Sequence, residues 1–182
     1  MAGQNRFVAR GRTPLMEKAD CSSSPCVFIS HQYADLAFAA QVGNQLKQLE
    51  IDIWLDAEDA ATQRAVESGD QQKLAEAIEW GLTNCTDLLA LISLRTKGSW
   101  WVPYEIGSVR GRGKHLAFFV HKDVSELPAY LTFGRTILDQ IDFYRWATDV
   151  SSRKFLTESK ASLQKSARWN PLENLLPSVR MG

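Results

Sequence analysis

Short apolar runs alternate along this chain with stretches of helical spacing, and that alternation restricts its fold more than any other feature. Cys26–Val27–Phe28–Ile29–Ser30 is a brief apolar run of the kind that forms a strand buried on both faces. From Tyr33 to Leu49, the residues Leu36, Ala39, Ala40, Val42, Gly43, Leu46 and Leu49 recur at three- and four-residue spacing and trace one face of a helix. Ile51–Asp52–Ile53–Trp54–Leu55 reads as a second strand, and an acidic loop from Asp56 to Gly69 follows it. Gln71 to Asn84 is helical again, with Leu74, Ala77, Ile78 and Leu82 in register. Asp87 to Leu94 is the most strand-like segment, and Trp100 to Arg110 is a helix with Pro103 in its first turn. Leu116 to Val120 and Arg135 to Leu138 supply a fourth and a short fifth strand. Phe143 to Trp146 and Ser152 to Lys165 are expected as closing helices.

Such a pattern specifies an α/β domain with a central, mostly parallel five-stranded sheet covered on both faces, because crossovers of this length keep neighbouring strands parallel. The chain of 182 residues suits one domain of this kind. Residues 1–24, which end in Ser22–Ser23–Ser24–Pro25, read as a flexible leader; residues 25–150 form the domain, and 151–182 a C-terminal helix and tail.

Composition removes several function classes. Lys+Arg and Asp+Glu each number 21, so no basic excess drives contact with nucleic acid or an anionic membrane. No apolar run approaches the roughly 20 residues of a membrane span. Cys21, Cys26 and Cys85 form no CxxC pair, which points to a reducing, cytoplasmic setting and inert thiols. Arg6, Arg10 and Arg12 precede the first acid, Glu17, but without an apolar face they do not make a transit peptide.

In open parallel sheets, ligands bind beyond the carboxyl ends of the strands. Three loops therefore hold the candidate chemistry: Ser30 to Tyr33, Asp56 to Gly69 and Leu94 to Trp101. Gly107 to Lys114 imitates a phosphate loop, yet five residues separate Gly107 from Gly113 where the motif has four, and His115 follows the lysine. That segment is expected to end a helix, with glycine at the cap and basic residues in the last turn. A phospho-acceptor receiver needs acids where this chain has Ser30–His31 and Ser93–Leu94. His31, His115 and His121 have no partner at metal-ligand spacing, so no metal site is expected. No GxSxG elbow is present, and no cysteine lies beside a plausible base.

What survives is Ser99–Trp100–Trp101–Val102–Pro103–Tyr104–Glu105, directly after the third strand. These residues resemble the Ser-x-Trp-x-x-x-Glu pattern of Toll/interleukin-receptor (TIR) domains. Val27–Phe28–Ile29–Ser30–His31 resembles that family's first-strand box, Ile51 to Asp56 its second strand, and Phe143–Tyr144–Arg145–Trp146, more weakly, its third box. The likeness spans roughly residues 25 to 150. It implies a flavodoxin-like three-layer sandwich. The loop from Asp56 to Gly69 lacks the Arg-Asp and Pro-Gly pairs of the animal receptors, which turns the likeness toward the bacterial branch, many of whose members consume NAD⁺.

The resemblance implies NAD⁺ as substrate, no cofactor, self-association through TIR–TIR contacts, and a separate sensor or effector protein. The products would be nicotinamide plus ADP-ribose or a cyclic relative, in signalling against phage. The chemistry stands without the family. Nicotinamide leaves a pyridinium as a neutral molecule and needs no general acid, so one fixed carboxylate facing the ribosyl oxocarbenium ion is enough. Glu105 is that carboxylate, expected in a first helical turn where the helix dipole favours its ionised form. Trp101 and Tyr104 are candidates to stack on the pyridinium, a contact of roughly 0.5–2 kcal/mol. The start of the first helix, near Ser30, His31 and Tyr33, offers a seat for phosphate oxygens.

Plainer roles fit the same residues. A glutamate early in a helix is a common surface residue, and one of the adjacent Trp100 and Trp101 is expected in the core. His31 suits a solvated loop, and Ser30 and Asp56 suit backbone turns. A non-catalytic TIR–TIR interaction module needs the same fold without using Glu105. A nucleoside deoxyribosyltransferase, another glutamate enzyme of similar fold, would exchange bases and spare NAD⁺.

Overall fold

A computed structural model of the chain describes residues 3–4, 25–55 and 69–153. Asp56, the acidic loop as far as residue 68, nearly all of the expected leader, and the expected helix beyond Arg153 lie outside these residues. The strands are β1 (Cys26–Ser30), β2 (Asp52–Trp54), β3 (Asp87–Ile92), β4 (His115–Val120) and β5 (Arg135–Ile137). They form one sheet in the order β2-β1-β3-β4-β5, and every neighbouring pair is parallel. The helices are α1 (Leu36–Gln48), α2 (Gln71–Asn84), α3 (Trp101–Gly111) and α4 (Gln140–Ser152). This is the flavodoxin-like order, in which the direction of winding reverses between β1 and β3.

The pleat sends alternate residues of each strand to opposite layers. Val27, Ile29, Ile53, Leu89, Leu91, Ala117, Phe119 and Ile137 pack with α1 and α4. Cys26, Phe28, Trp54, Leu88, Ala90, Ile92, Phe118 and Val120 pack with α2 and α3. With both faces covered, β3 is buried at all six positions, which is why it reads as an unbroken apolar run. Helix α2 approaches the sheet closely at Gly81, where a β-carbon would lie 2.5 Å from Trp54 Nε1 and 2.7 Å from Phe28 Cε2.

Two expectations about element ends change. Phe143 to Trp146 lies inside a longer helix, α4, because the Asp139 side chain accepts the Asp142 N–H at 2.8 Å and starts it ahead of the apolar pattern. The 3-10 turn Tyr33–Asp35 precedes α1, which begins only at Leu36. The Gly107 to Lys114 segment does end a helix: Gly113 has φ +65° and follows the last turn of α3. Lys114 Nζ then donates to the carbonyls of Leu82, Thr83 and Cys85 at 2.6–2.7 Å, where α2 ends. No helix among the described residues is long and apolar enough to cross a membrane.

Candidate functional site

Helix α3 enters directly behind the carboxyl end of β3. Ser99 Oγ accepts the Val102 N–H at 3.2 Å and fixes where the helix starts. With that start, Glu105 falls in the second turn, and the first turn contains no acid. The expected first-turn placement is therefore corrected, and the free N–H groups of the helix end are out of its reach. The position still serves chemistry, because Glu105 shares the inward face of α3 with Val102, Ile106 and Val109 and is only 4% exposed. A carboxylate held in such a lining interacts with a nearby charge far more strongly than one in water.

Ser30 reaches the same layer from the other side. It closes β1 opposite Ala90, and the alternation Cys26, Phe28, Ser30 aims it toward the α2–α3 side of the sheet. Its hydroxyl is buried and has no hydrogen-bond partner among the described residues. Leaving such a group unmatched costs about 1–3 kcal/mol. The winding reversal between β1 and β3 thus carries a buried hydroxyl and a buried carboxyl facing one layer.

The other expected residues take different places. His31 Nδ1 lies 3.2 Å from the Ile29 carbonyl oxygen, and Tyr33 stands exposed in the 3-10 turn. Trp101 is half-buried at the rim of the α2–α3 core and meets Tyr104 edge-on at 5.8 Å, whereas Trp100 is 92% exposed. Of the two tryptophans, then, Trp101 is the one that packs. Tyr104 turns to the seam between helices: its hydroxyl donates to Glu79 of α2, which also takes Arg112, the residue that caps the end of α3. The tyrosine hydroxyl and the guanidinium hold the Glu79 carboxyl below its ordinary range, and Glu79 in turn raises Tyr104. Asp56 lies outside the described residues.

Sequence reasoning missed a lock on the opposite layer. Asp35 is buried and takes Ser93 Oγ at 2.5 Å and Arg95 Nη1 at 2.7 Å, tying the loop after β1 to the loop after β3. Thr96 Oγ accepts the Ser93 N–H at 2.8 Å and donates to the Leu91 carbonyl. Asp35 stands where a helix cap belongs but makes no side-chain cap bond, so its position alone points to the wrong role. The only available signal was a second polar pair, Ser93 and Arg95, just past β3.

A small groove beside this lock is lined by Ser93, Lys97, Ser125, Pro128 and Tyr130, and Glu105 is not in its wall. Among the described residues, no three His, Cys, Asp or Glu side chains gather closely enough to hold a metal ion. Against known proteins, a family model described as TIR domain matches residues 27–156. No curated protein matches the chain.

Proposed function

The chain belongs to the TIR domain family, and we propose that it cleaves the nicotinamide–ribose bond of NAD⁺ with Glu105 as the catalytic carboxylate. The observation that carries this reading is the burial of Glu105 on the inner face of α3, in the layer that also receives the Ser30 hydroxyl, which has no partner among the described residues. Neither arrangement serves packing. A carboxylate displaces hydrocarbon from a core, and a stranded hydroxyl costs stability, whereas a substrate with a ribose and a cationic ring matches both.

In the proposed reaction the C1′–N bond breaks and nicotinamide leaves with the bonding pair as a neutral base. Positive charge develops on C1′ and the ring oxygen of the ribose. The Glu105 carboxylate faces that charge; at about 4 Å and an effective dielectric near 20 such a pair is worth roughly 4 kcal/mol. Water then adds to C1′ and releases a proton, giving ADP-ribose, or a nucleophile of the adenine adds instead and gives a cyclic product. Ser30 binds the substrate through its hydroxyl, and Trp101 lines the pyridinium side. Tyr104, held by Glu79, stacks only if that clasp opens. His31, Tyr33 and Asp56 complete the proposed binding set, with the turn after β1 on the phosphates. The cellular setting we propose is antiphage signalling in the cytoplasm, with NAD⁺ as substrate, assembly through TIR–TIR contacts, and a separate sensor or effector protein.

Nicotinamide release by wild type and Glu105→Gln, at high protein concentration, is the test. The isosteric amide should lower turnover about 10²–10³-fold, the scale lost when a group stabilising transition-state charge is removed, with thermal unfolding unchanged. Equal turnover sinks the assignment. A second reading, an interaction module without catalysis, is favoured by Trp100, Tyr33 and Leu94, three large apolar side chains that each stand exposed. Absence of release from both folded proteins, with assembly lost in Trp100→Ala, would select it.

A further inference from the structure

At the opposite end of the sheet from Glu105, two cysteines meet. Cys26 opens β1 and Cys85 follows the last residue of α2; their sulfurs lie 3.4 Å apart, with 0% and 3% of the residues exposed. The backbones on both sides are already fixed. Thr86 donates its N–H to the Cys26 carbonyl at 2.9 Å, and the Cys26 N–H donates to Thr86 Oγ at 3.0 Å. Lys114 clamps the Cys85 carbonyl, and Gly81 lets this end of α2 settle against Phe28. A disulfide needs its sulfurs at about 2.05 Å, so closure asks for a little over an ångström, which rotation about the two Cα–Cβ bonds can supply.

We propose that Cys26 and Cys85 form a reversible disulfide, a modification site for a hydroperoxide oxidant. Cys85, the less enclosed, attacks one peroxide oxygen as its thiolate; the O–O bond breaks and the other oxygen leaves as water after protonation. The sulfenic acid on Cys85 is then attacked by Cys26, a sulfur–sulfur bond forms, and its hydroxyl departs as a second water. Two thiols lose two hydrogens and two electrons, and one hydrogen peroxide becomes two waters. The bond would tie the end of α2 to β1 and close a long loop in the unfolded chain, the condition under which a cross-link stabilises most.

The test uses the full chain carrying Cys21→Ser, which removes the third thiol. It is treated with hydrogen peroxide and, separately, unfolded in urea and refolded in a glutathione redox buffer, so that exclusion of oxidant from the core cannot hide the pair. Alkylation in denaturant and peptide mass mapping should find the Cys26 and Cys85 peptides joined. The melting temperature should rise by about 10 °C and return under dithiothreitol. The same treatment of a chain that also carries Cys26→Ser should leave the melting temperature unmoved. Both cysteines fully alkylated after either oxidant, links only between chains, or an equal thermal response in the Cys26→Ser chain would overturn the proposal.

Discussion

The two layers that flank one sheet are built from alternate residues of the same strands, yet they are not alike. On the α1–α4 side, Phe119 meets Phe38 at 5.2 Å and Phe143 at 5.7 Å, both edge-on, and the buried Asp35 and Ser93 satisfy one another. On the α2–α3 side the sheet meets a buried carboxylate, a hydroxyl with no described partner, two thiols and a tilted pair of indoles, Trp54 and Trp80. Among the described residues, Asp35 and Ser93 are matched in the first layer, whereas in the second the Ser30 hydroxyl has no partner. Departures from good local packing concentrate where a protein works, and the site proposed above lies in the α2–α3 layer.

The largest predicted effect probes this directly. Phe118 and Phe119 are neighbours on β4, both fully buried, and point to opposite layers. Phe119→Ala should destabilise by about 3–5 kcal/mol in urea unfolding. Phe118 has one tilted aromatic partner, Tyr130 at 6.3 Å, so Phe118→Ala should cost about 1 kcal/mol less. Equal losses would break the comparison.

Next come the two helix glycines that let α1 and α2 approach the sheet. A β-carbon at Gly81 would press into the rings of Trp54 and Phe28, which cannot yield without moving the core. At Gly43 the nearest atoms are the methyl tips of Ile53 at 2.9 Å and Ile29 at 3.3 Å. Alanine gains about 1 kcal/mol of helix propensity at either site. Against that, overpacking costs about 1–3 kcal/mol. Gly81→Ala should therefore lose about 1–2 kcal/mol by thermal denaturation, while Gly43→Ala should stay within about 0.5 kcal/mol of wild type because methyl tips shift cheaply. A tolerated Gly81→Ala would show the α2 layer to be looser than its geometry.

Much of this was legible in the chain because burial on both faces leaves continuous apolar runs. Cys26–Ser30 and Gln71–Asn84 match their expected bounds, and the parallel order follows from the crossovers. Glu105 was singled out by its place after β3, but the turn it occupies was misjudged: counted from Trp101 it is the fifth helical residue, and from Trp100 the sixth, past the first turn either way. The Asp35–Ser93–Arg95 lock was invisible, since its members lie 58 and 60 residues apart and only the fold brings them together. The same holds for Glu79 with Tyr104, 25 residues on. Spacing within an element reports which face a residue shares; partners across elements leave no period to read.

The smallest effect asks whether that last pair links α2 to α3 or merely decorates the seam. Because Glu79 is held below its ordinary pKa of 4.5, first by Tyr104 and then by Arg112, its bonds stabilise the fold above the unfolded value and are lost as pH falls through the lower folded one. Tyr104, raised above its ordinary 10.0 first by Glu79, contributes below that value, and the contribution disappears as pH rises through its higher folded value. The difference in stability between wild type and Tyr104→Phe should therefore be flat across neutral pH and shrink at both ends, in acid below about 4 and in base above about 10. Both groups are partly exposed, so solvent screening holds the plateau below about 1 kcal/mol. Thermal denaturation of the two proteins at pH 3, 7 and 10.5 would measure it. A difference that persists unchanged in acid would mean the tyrosine hydroxyl acts through something other than Glu79, and α3 would then be held in place by its apolar face alone.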